Sequence, residues 1–120
     1  MLEEVRKQRL QIHAVVGQQK IELLRGVSDG ASVVAPHELP NCDVLELDCE
    51  GAELEIINQM TIRPRTVLVE SHGVYGATTE RVKSILQNRG YSVINEAVAD
   101  DSQREYCIEN DIMALEAIAS

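Results

Sequence analysis

The chain contains no Phe and no Trp, and its only aromatic residues are Tyr75, Tyr91 and Tyr106. A core cannot be assembled from rings here and must come from Val, Ile, Leu and Ala, the composition of a buried parallel sheet. Lysine is as scarce, with Lys7, Lys20 and Lys83 only, and the net charge is −9. A chain so poor in basic residues offers no electrostatic grip on nucleic acid, because phosphate binding needs a basic face. The same deficit argues against docking on an anionic membrane surface. No apolar run reaches spanning length, and the opening MLEEVRKQRL is not a signal peptide. The three cysteines, Cys42, Cys49 and Cys107, form no CxxC pair. They read as reduced cytosolic thiols, and metal ligation by thiolates is not indicated.

What is present fits one domain. At 120 residues the chain can bury a core, yet it is small for a complete nucleotide-binding enzyme. An acidic, Lys-poor surface suits a high-salt cytoplasm, where repulsion is screened, and ordinary solubility accounts for it equally well.

Apolar periodicity and turn residues give an order of elements. Residues 2–10 read as a short helix and QIHAVV (11–16) as a strand. KIELL (20–24) and ASVV (31–34) read as a β-hairpin across the Gly26–Gly30 loop, and Pro36 and Pro40 mark a connection. The run 43–48, DVLELD, is a strand, followed by a helical pattern to Met60 in which Leu54, Ile57 and Met60 share a face. Glu50 and Glu53 suit the positive start of that helix. After Arg63-Pro64 come a strand at 66–71, the loop HGVYG, and a helix capped by Thr78 or Thr79 and striped with Val82, Ile85 and Leu86. Gly90 stands where a left-handed residue ends a helix. YSVINEAV (91–98) reads as a strand, DDSQREY as a loop, and 111–119 as a last strand, so the final two strands form an antiparallel hairpin. Strand–helix–strand units of this kind make an α/β fold with a mostly parallel sheet and one antiparallel strand.

The stretch Asp43-Val-Leu-Glu-Leu-Asp48-Cys-Glu50-Gly51-Ala-Glu53 resembles the FkbM-type S-adenosylmethionine-dependent methyltransferases, in which a strand ends in Asp-x-Glu-Gly-x-Glu before a helix. Val69-Glu70-Ser71-His72 matches a later strand ending in an acid, and Leu86 through Val93 matches a helix-Gly-Tyr-strand element. HAVVG (13–17) looks like the third strand of that family, and the 20–34 hairpin like its insertion. The resemblance implies a three-layer, Rossmann-like sheet and O-methyl transfer to a sugar or small-metabolite hydroxyl. It places Asp48 near the methyl donor, Val15 near the adenine, and Glu70 and His72 towards the acceptor. Position 46 departs from the family, which often has Lys where this chain has Glu46.

The resemblance covers the back portion of the fold. The seven glycines, at 17, 26, 30, 51, 73, 76 and 90, include no two that stand two apart, so no G-x-G turn exists to receive a cofactor closely. S-adenosylmethionine is therefore the cofactor implied by resemblance and is not expected to be held by this chain alone. In the usual sheet order the third and fourth strands lie apart, with two strands between them that are not found here. Either the third strand moves over to pair with the fourth, or a second copy or a partner bearing the front half fills the gap.

Asp48, Glu50, Glu70 and His72 are the candidate catalytic residues, on strand ends where open α/β sheets place ligands. Such a group supplies a general base or holds a divalent ion. Asp48 and Glu50 capping the helix, and His72 bonded to backbone, are the plainer readings of the same residues. His13 and His37 read as structural. Three functions stay open: a methyltransferase remnant, a non-enzymatic module that dimerises or completes a partner, and a small metal-dependent enzyme.

Overall fold

The structure, a computed structural model, describes residues 9–12, 35–49 and 51–120. The expected hairpin at 20–34, the strand residues 13–16 with Val15, the helix residues 2–8 and Glu50 lie outside the described residues.

Among the described residues five strands form one sheet: β1 (Arg9–Ile12), β2 (Val44–Leu47), β3 (Thr66–Glu70), β4 (Tyr91–Val98) and β5 (Met113–Ala119), in the spatial order β1-β2-β3-β5-β4. β1, β2 and β3 are parallel, with Leu10 opposite Leu45 and Leu45 opposite Val67. β5 runs antiparallel to both of its neighbours, with Val69 opposite Leu115 on one side and Tyr91 opposite Ala119 on the other. Four strands thus share one direction and β5 opposes them. The β2–β3 crossover carries α1 (Glu53–Gln59), and α2 (Thr79–Asn88) connects β3 to β4.

The start of the sheet corrects the end of the expected helix, at Arg9 and Leu10. Arg9 and Leu10 belong to β1, whose parallel ladder beside β2 begins at the pair Arg9 and Val44. A local helical pattern is a weak preference, and ladder bonds to a neighbouring strand override it. β1 lies directly against β2, which is the rearrangement expected when the two intervening strands are not found.

Alternation along the strands places Leu45, Leu47, Val67, Val69, Leu115 and Ala117 in the core, together with Ile56 and Ile57 of α1 and Val82 and Leu86 of α2. The opposite face, with Val44, Glu46, Thr66, Leu68 and Glu116, is half-buried. Among the described residues the helices α1 and α2 both pack on the core face of the sheet. Tyr91, the only buried aromatic, donates its hydroxyl to the Pro64 carbonyl at 2.5 Å, and the Arg63 guanidinium lies 5.3 Å from its ring centre. Burial raises the Tyr91 hydroxyl above its usual range, against the opposing pull of Arg63 and Arg89.

Thr78 caps α2 by accepting the Arg81 N–H, and Gly90 takes a φ of +85° at its end. The polar loop expected at 100–106 is the second correction. Asp100 accepts bonds from the Ser102 N–H and hydroxyl, opening a 3-10 turn that runs into α3 (Arg104–Asn110). Only Cys107 of α3 is buried, so the segment carries no apolar stripe to announce a helix. Its end is a left-handed Asp111, φ 54°, where a glycine would have given the signal. β4 and β5 pair antiparallel as expected, with α3 between them. No disulfide links the cysteines, and among the described residues no helix is long and apolar enough to cross a membrane.

Candidate functional site

The carboxyl ends of β2 and β3 lie side by side, because Leu47 pairs with Val69. The next residues out are Asp48 on one strand, and Glu70, Ser71 and His72 on the other. Open α/β sheets bind ligands at this edge, where diverging chains leave backbone and side chains unclaimed by the ladder.

Two local devices set the side chains. The first is the turn between β2 and α1. Gly51 takes a φ of +109°, which allows the chain to reverse, and its missing Cβ leaves room for Tyr75, whose own Cβ lies 2.8 Å from where one would stand. The reversal lets Glu53 fold back under the turn. Glu53 is fully buried, and its carboxylate accepts the N–H of Cys49 at 3.2 Å and that of Gly51 at 2.9 Å. Its Oε1 also meets His72 Nδ1 at 2.5 Å. With both carboxylate oxygens engaged as acceptors, the shared proton belongs to Nδ1.

The second device holds the segment after β3. Ser71, fully buried, bonds the Thr79 hydroxyl at 2.8 Å, and its N–H donates to the Met113 carbonyl. Asp111 accepts both the N–H and the hydroxyl of Thr79, at 2.8 and 2.6 Å, and its carbonyl accepts the Gly73 N–H. His72 donates its N–H to the Ala77 carbonyl, closing the loop over the 3-10 turn Gly73–Tyr75. β3, α2 and the start of β5 are thereby tied together, and the imidazole is held from its backbone as well as its ring.

With Nδ1 committed, Nε2 is aimed at Asp48 Oδ1, 3.6 Å away, and Glu70 Oε1, 3.7 Å away. These are ion-pair separations, too long for hydrogen bonds. The His72 side chain is 7% exposed, against 47% for Asp48 and 33% for Glu70, so a half-open carboxylate pair fronts an enclosed ring. Burial pushes the imidazolium down, but the hydrogen bond and charge of Glu53, with Glu70 and Asp48, outweigh it and raise the His72 pKa. The Glu70 carboxyl is raised by burial and by the Asp48 charge, partly offset by His72. No Lys or Arg pairs with Asp48, Glu53 or Glu70 among the described residues, so the corner concentrates negative charge.

Three of the four expected catalytic residues, Asp48, Glu70 and His72, meet at this corner; Glu50 lies outside the described residues, as does Val15. Asp48 is not the helix cap: Ala52 occupies that position, and the fold-back acceptor is Glu53. His37 is exposed in the 3-10 turn Pro36–Glu38, its carbonyl accepting the Thr61 hydroxyl. Glu53 is the residue that sequence reasoning undervalued. Its signal was its place as the last letter of Asp-x-Glu-Gly-x-Glu, just past a glycine able to turn the chain back.

An adenosyl cofactor needs backbone it can approach closely. At Gly51 that approach is made by Tyr75, at Gly73 by Asp111, whose Cβ lies 2.5 Å from the added-carbon position, and at Gly90 by Arg63. The spaces that Gly51, Gly73 and Gly90 leave are filled by the protein, and only Gly76 of the described glycines leaves open space, with Arg81 Nη1 at 4.0 Å.

An α/β sheet with an acid–histidine corner at its parallel carboxyl edge is the class of protein that fold and site define. Within it, the sequence pattern of the family described as "Methyltransferase FkbM domain" matches residues 4–93. The chain belongs to the FkbM methyltransferase domain family. No curated protein and no solved structure matches it significantly.

Proposed function

We propose that this chain supplies the acceptor-handling half of an S-adenosylmethionine-dependent O-methyltransferase with a Rossmann-like sheet, and that its cofactor-holding half comes from a segment bearing a glycine-rich turn. The observation that carries the reading is the Glu53–His72 lock, which aims an imidazole nitrogen at two carboxylates on the sheet's ligand-binding edge. A hydroxyl must be polarised before it can accept a methyl group, and a corner of carboxylates and imidazole is where its proton is drawn off.

A cavity of about 420 Å³ adjoins the corner through Glu70 and is lined by Asp100, Gln103, Tyr106, Cys107 and Ile112. One exposed ring among acceptors and an amide suits a polyhydroxylated ligand, whose face stacks while its hydroxyls donate. That supports a sugar or small-metabolite acceptor. The pairing of β1 with β2 supports a chain able to fold without the front half, and a partner bearing the glycine-rich turn is the source proposed for it.

Calorimetric titration with S-adenosylmethionine tests the division of labour. The chain alone is expected to show no saturable binding up to about 1 mM, a level at which even weak sites of roughly −4 kcal/mol fill halfway. Adding the separately produced front half of a full-length family member is expected to restore binding. Micromolar affinity in the chain alone would overturn the proposal.

A further inference from the structure

The corner also has the makings of a cation site. Asp48, Glu70 and His72 each offer one ligand atom, and the three atoms lie within 4.8 Å of one another. Carboxylate and imidazole donors about 2.0–2.2 Å from one ion stand roughly 3–3.6 Å apart, by the geometry of octahedral and tetrahedral shells. The Nε2 separations of 3.6 and 3.7 Å lie at and just beyond the upper end of that range, so binding draws the half-exposed carboxylates slightly inward.

Acids alone at a surface would carry no argument. The independent observation is the ring: His72 is more than nine-tenths buried, its Nδ1 is used by Glu53, and its Nε2 points between two carboxylates without a hydrogen bond among the described residues. A carboxylate holding the far nitrogen of a histidine is how metal-binding imidazoles are fixed in tautomer and direction. Glu53 is in turn fixed by two backbone N–H groups, so the third layer is rigid as well. The corner has negative charge on three sides and no basic side chain paired to it among the described residues.

We propose that Asp48, Glu70 and His72 bind one divalent first-row transition ion, of the Mn²⁺ or Zn²⁺ kind. An imidazole donor favours these over Mg²⁺ and Ca²⁺, which prefer an all-oxygen shell. The ion would occupy the same corner on which the methyl-transfer reading rests, but its binding requires no methyl donor.

The test is titration of the chelator-treated chain with Mn²⁺, followed by electron paramagnetic resonance and calorimetry, with no methyl donor present. One equivalent is expected to bind with micromolar-class affinity, and Mg²⁺ to compete only at much higher concentration. Asp48→Asn, at a half-exposed position, leaves the fold intact by circular dichroism and weakens binding by roughly tenfold or more. Glu53→Gln, at a positioning residue that touches no ion, is expected to weaken binding by about 10–100-fold. Glu109→Gln removes an exposed acid that is not one of the three ligands and changes affinity less than about twofold, as expected of a screened surface charge. Multiple weak sites, with Asp48→Asn and Glu109→Gln behaving alike, would mean that the ion is attracted by net charge alone and would overturn the proposal. Failure of the front half to restore S-adenosylmethionine binding, with Mn²⁺ binding intact, would overturn only the functional reading above.

Discussion

Replacing Glu53 with Ala is expected to cost about 3–5 kcal/mol, the penalty for removing one partner of a buried charged pair. Such a change consumes much of the roughly 5–15 kcal/mol that holds a domain together, so the variant is expected to be largely unfolded at physiological temperature. Three losses coincide at one residue. The N–H groups of Cys49 and Gly51 lose their acceptor, and His72 loses the bond at Nδ1. Two of those donors lie in the turn between β2 and α1 and the third on the segment after β3, so both strand ends loosen together. Glu53→Gln keeps an oxygen for a backbone donor but turns its amide N–H₂ towards donors already present, and it is expected to fall between wild type and Ala. Urea unfolding monitored by circular dichroism reads both. A loss below about 1 kcal/mol for Ala would show that the carboxylate is held by little more than its own helix start.

The second large effect is expected at Gly51. A φ of +109° is a region side chains rarely adopt, and a non-glycine residue forced there costs on the order of 1–3 kcal/mol in backbone strain alone. An added Cβ also meets the Cβ of Tyr75 at 2.8 Å, contact between two short, stiff stems that cannot swing aside. Gly51→Ala is therefore expected to destabilise by about 3 kcal/mol or more when strain and overpacking are combined. It also pushes the 73–75 turn away from the corner, so the variant is expected to change the His72 resonances even where it stays folded. Gly76→Ala is the comparison: its φ is +88° but an added carbon has open space, with Arg81 Nη1 at 4.0 Å, so only the strain is expected. Equal stability losses in the two variants would show that the approach of Tyr75 is not tight.

How far these features could be read from the sequence depends on how local their causes are. β2, β3, β4 and β5 were legible because each is a bounded run of branched apolar residues, and α2 because Thr78 and Gly90 punctuate it. α3 was not, since its stability comes from the Asp100 turn and the burial of Cys107 rather than from a stripe. Arg9 and Leu10 were misread as helix because their strand state depends on β2, more than 30 positions away along the chain. At the site, Asp48, Glu70 and His72 were legible as acids and a histidine at strand ends. Their convergence needed the Leu47–Val69 register, which no spacing reports. The bonds that tie Ser71 and Thr79 to Asp111 were invisible for the same reason: they span 40 and 32 positions of chain.

The absent glycine pair is the part of the functional argument that rests on the sequence. The sequence lacks the G-x-G spacing, and the described glycines that are tightly packed are packed against protein atoms. Membership of the family comes with an acid–histidine corner at the carboxyl edge of the sheet.

The ring of His72 reports most directly on whether the corner is built as described. Long-range proton–nitrogen correlation spectra of the neutral imidazole, recorded on the whole chain, distinguish which nitrogen carries the proton. The expected result is a single tautomer protonated at Nδ1, with Nε2 bare and turned towards Asp48 and Glu70, and a return to mixed tautomers in Glu53→Gln. A wild-type ring protonated at Nε2, or averaging between both forms as a solvent-exposed histidine does, would contradict the account.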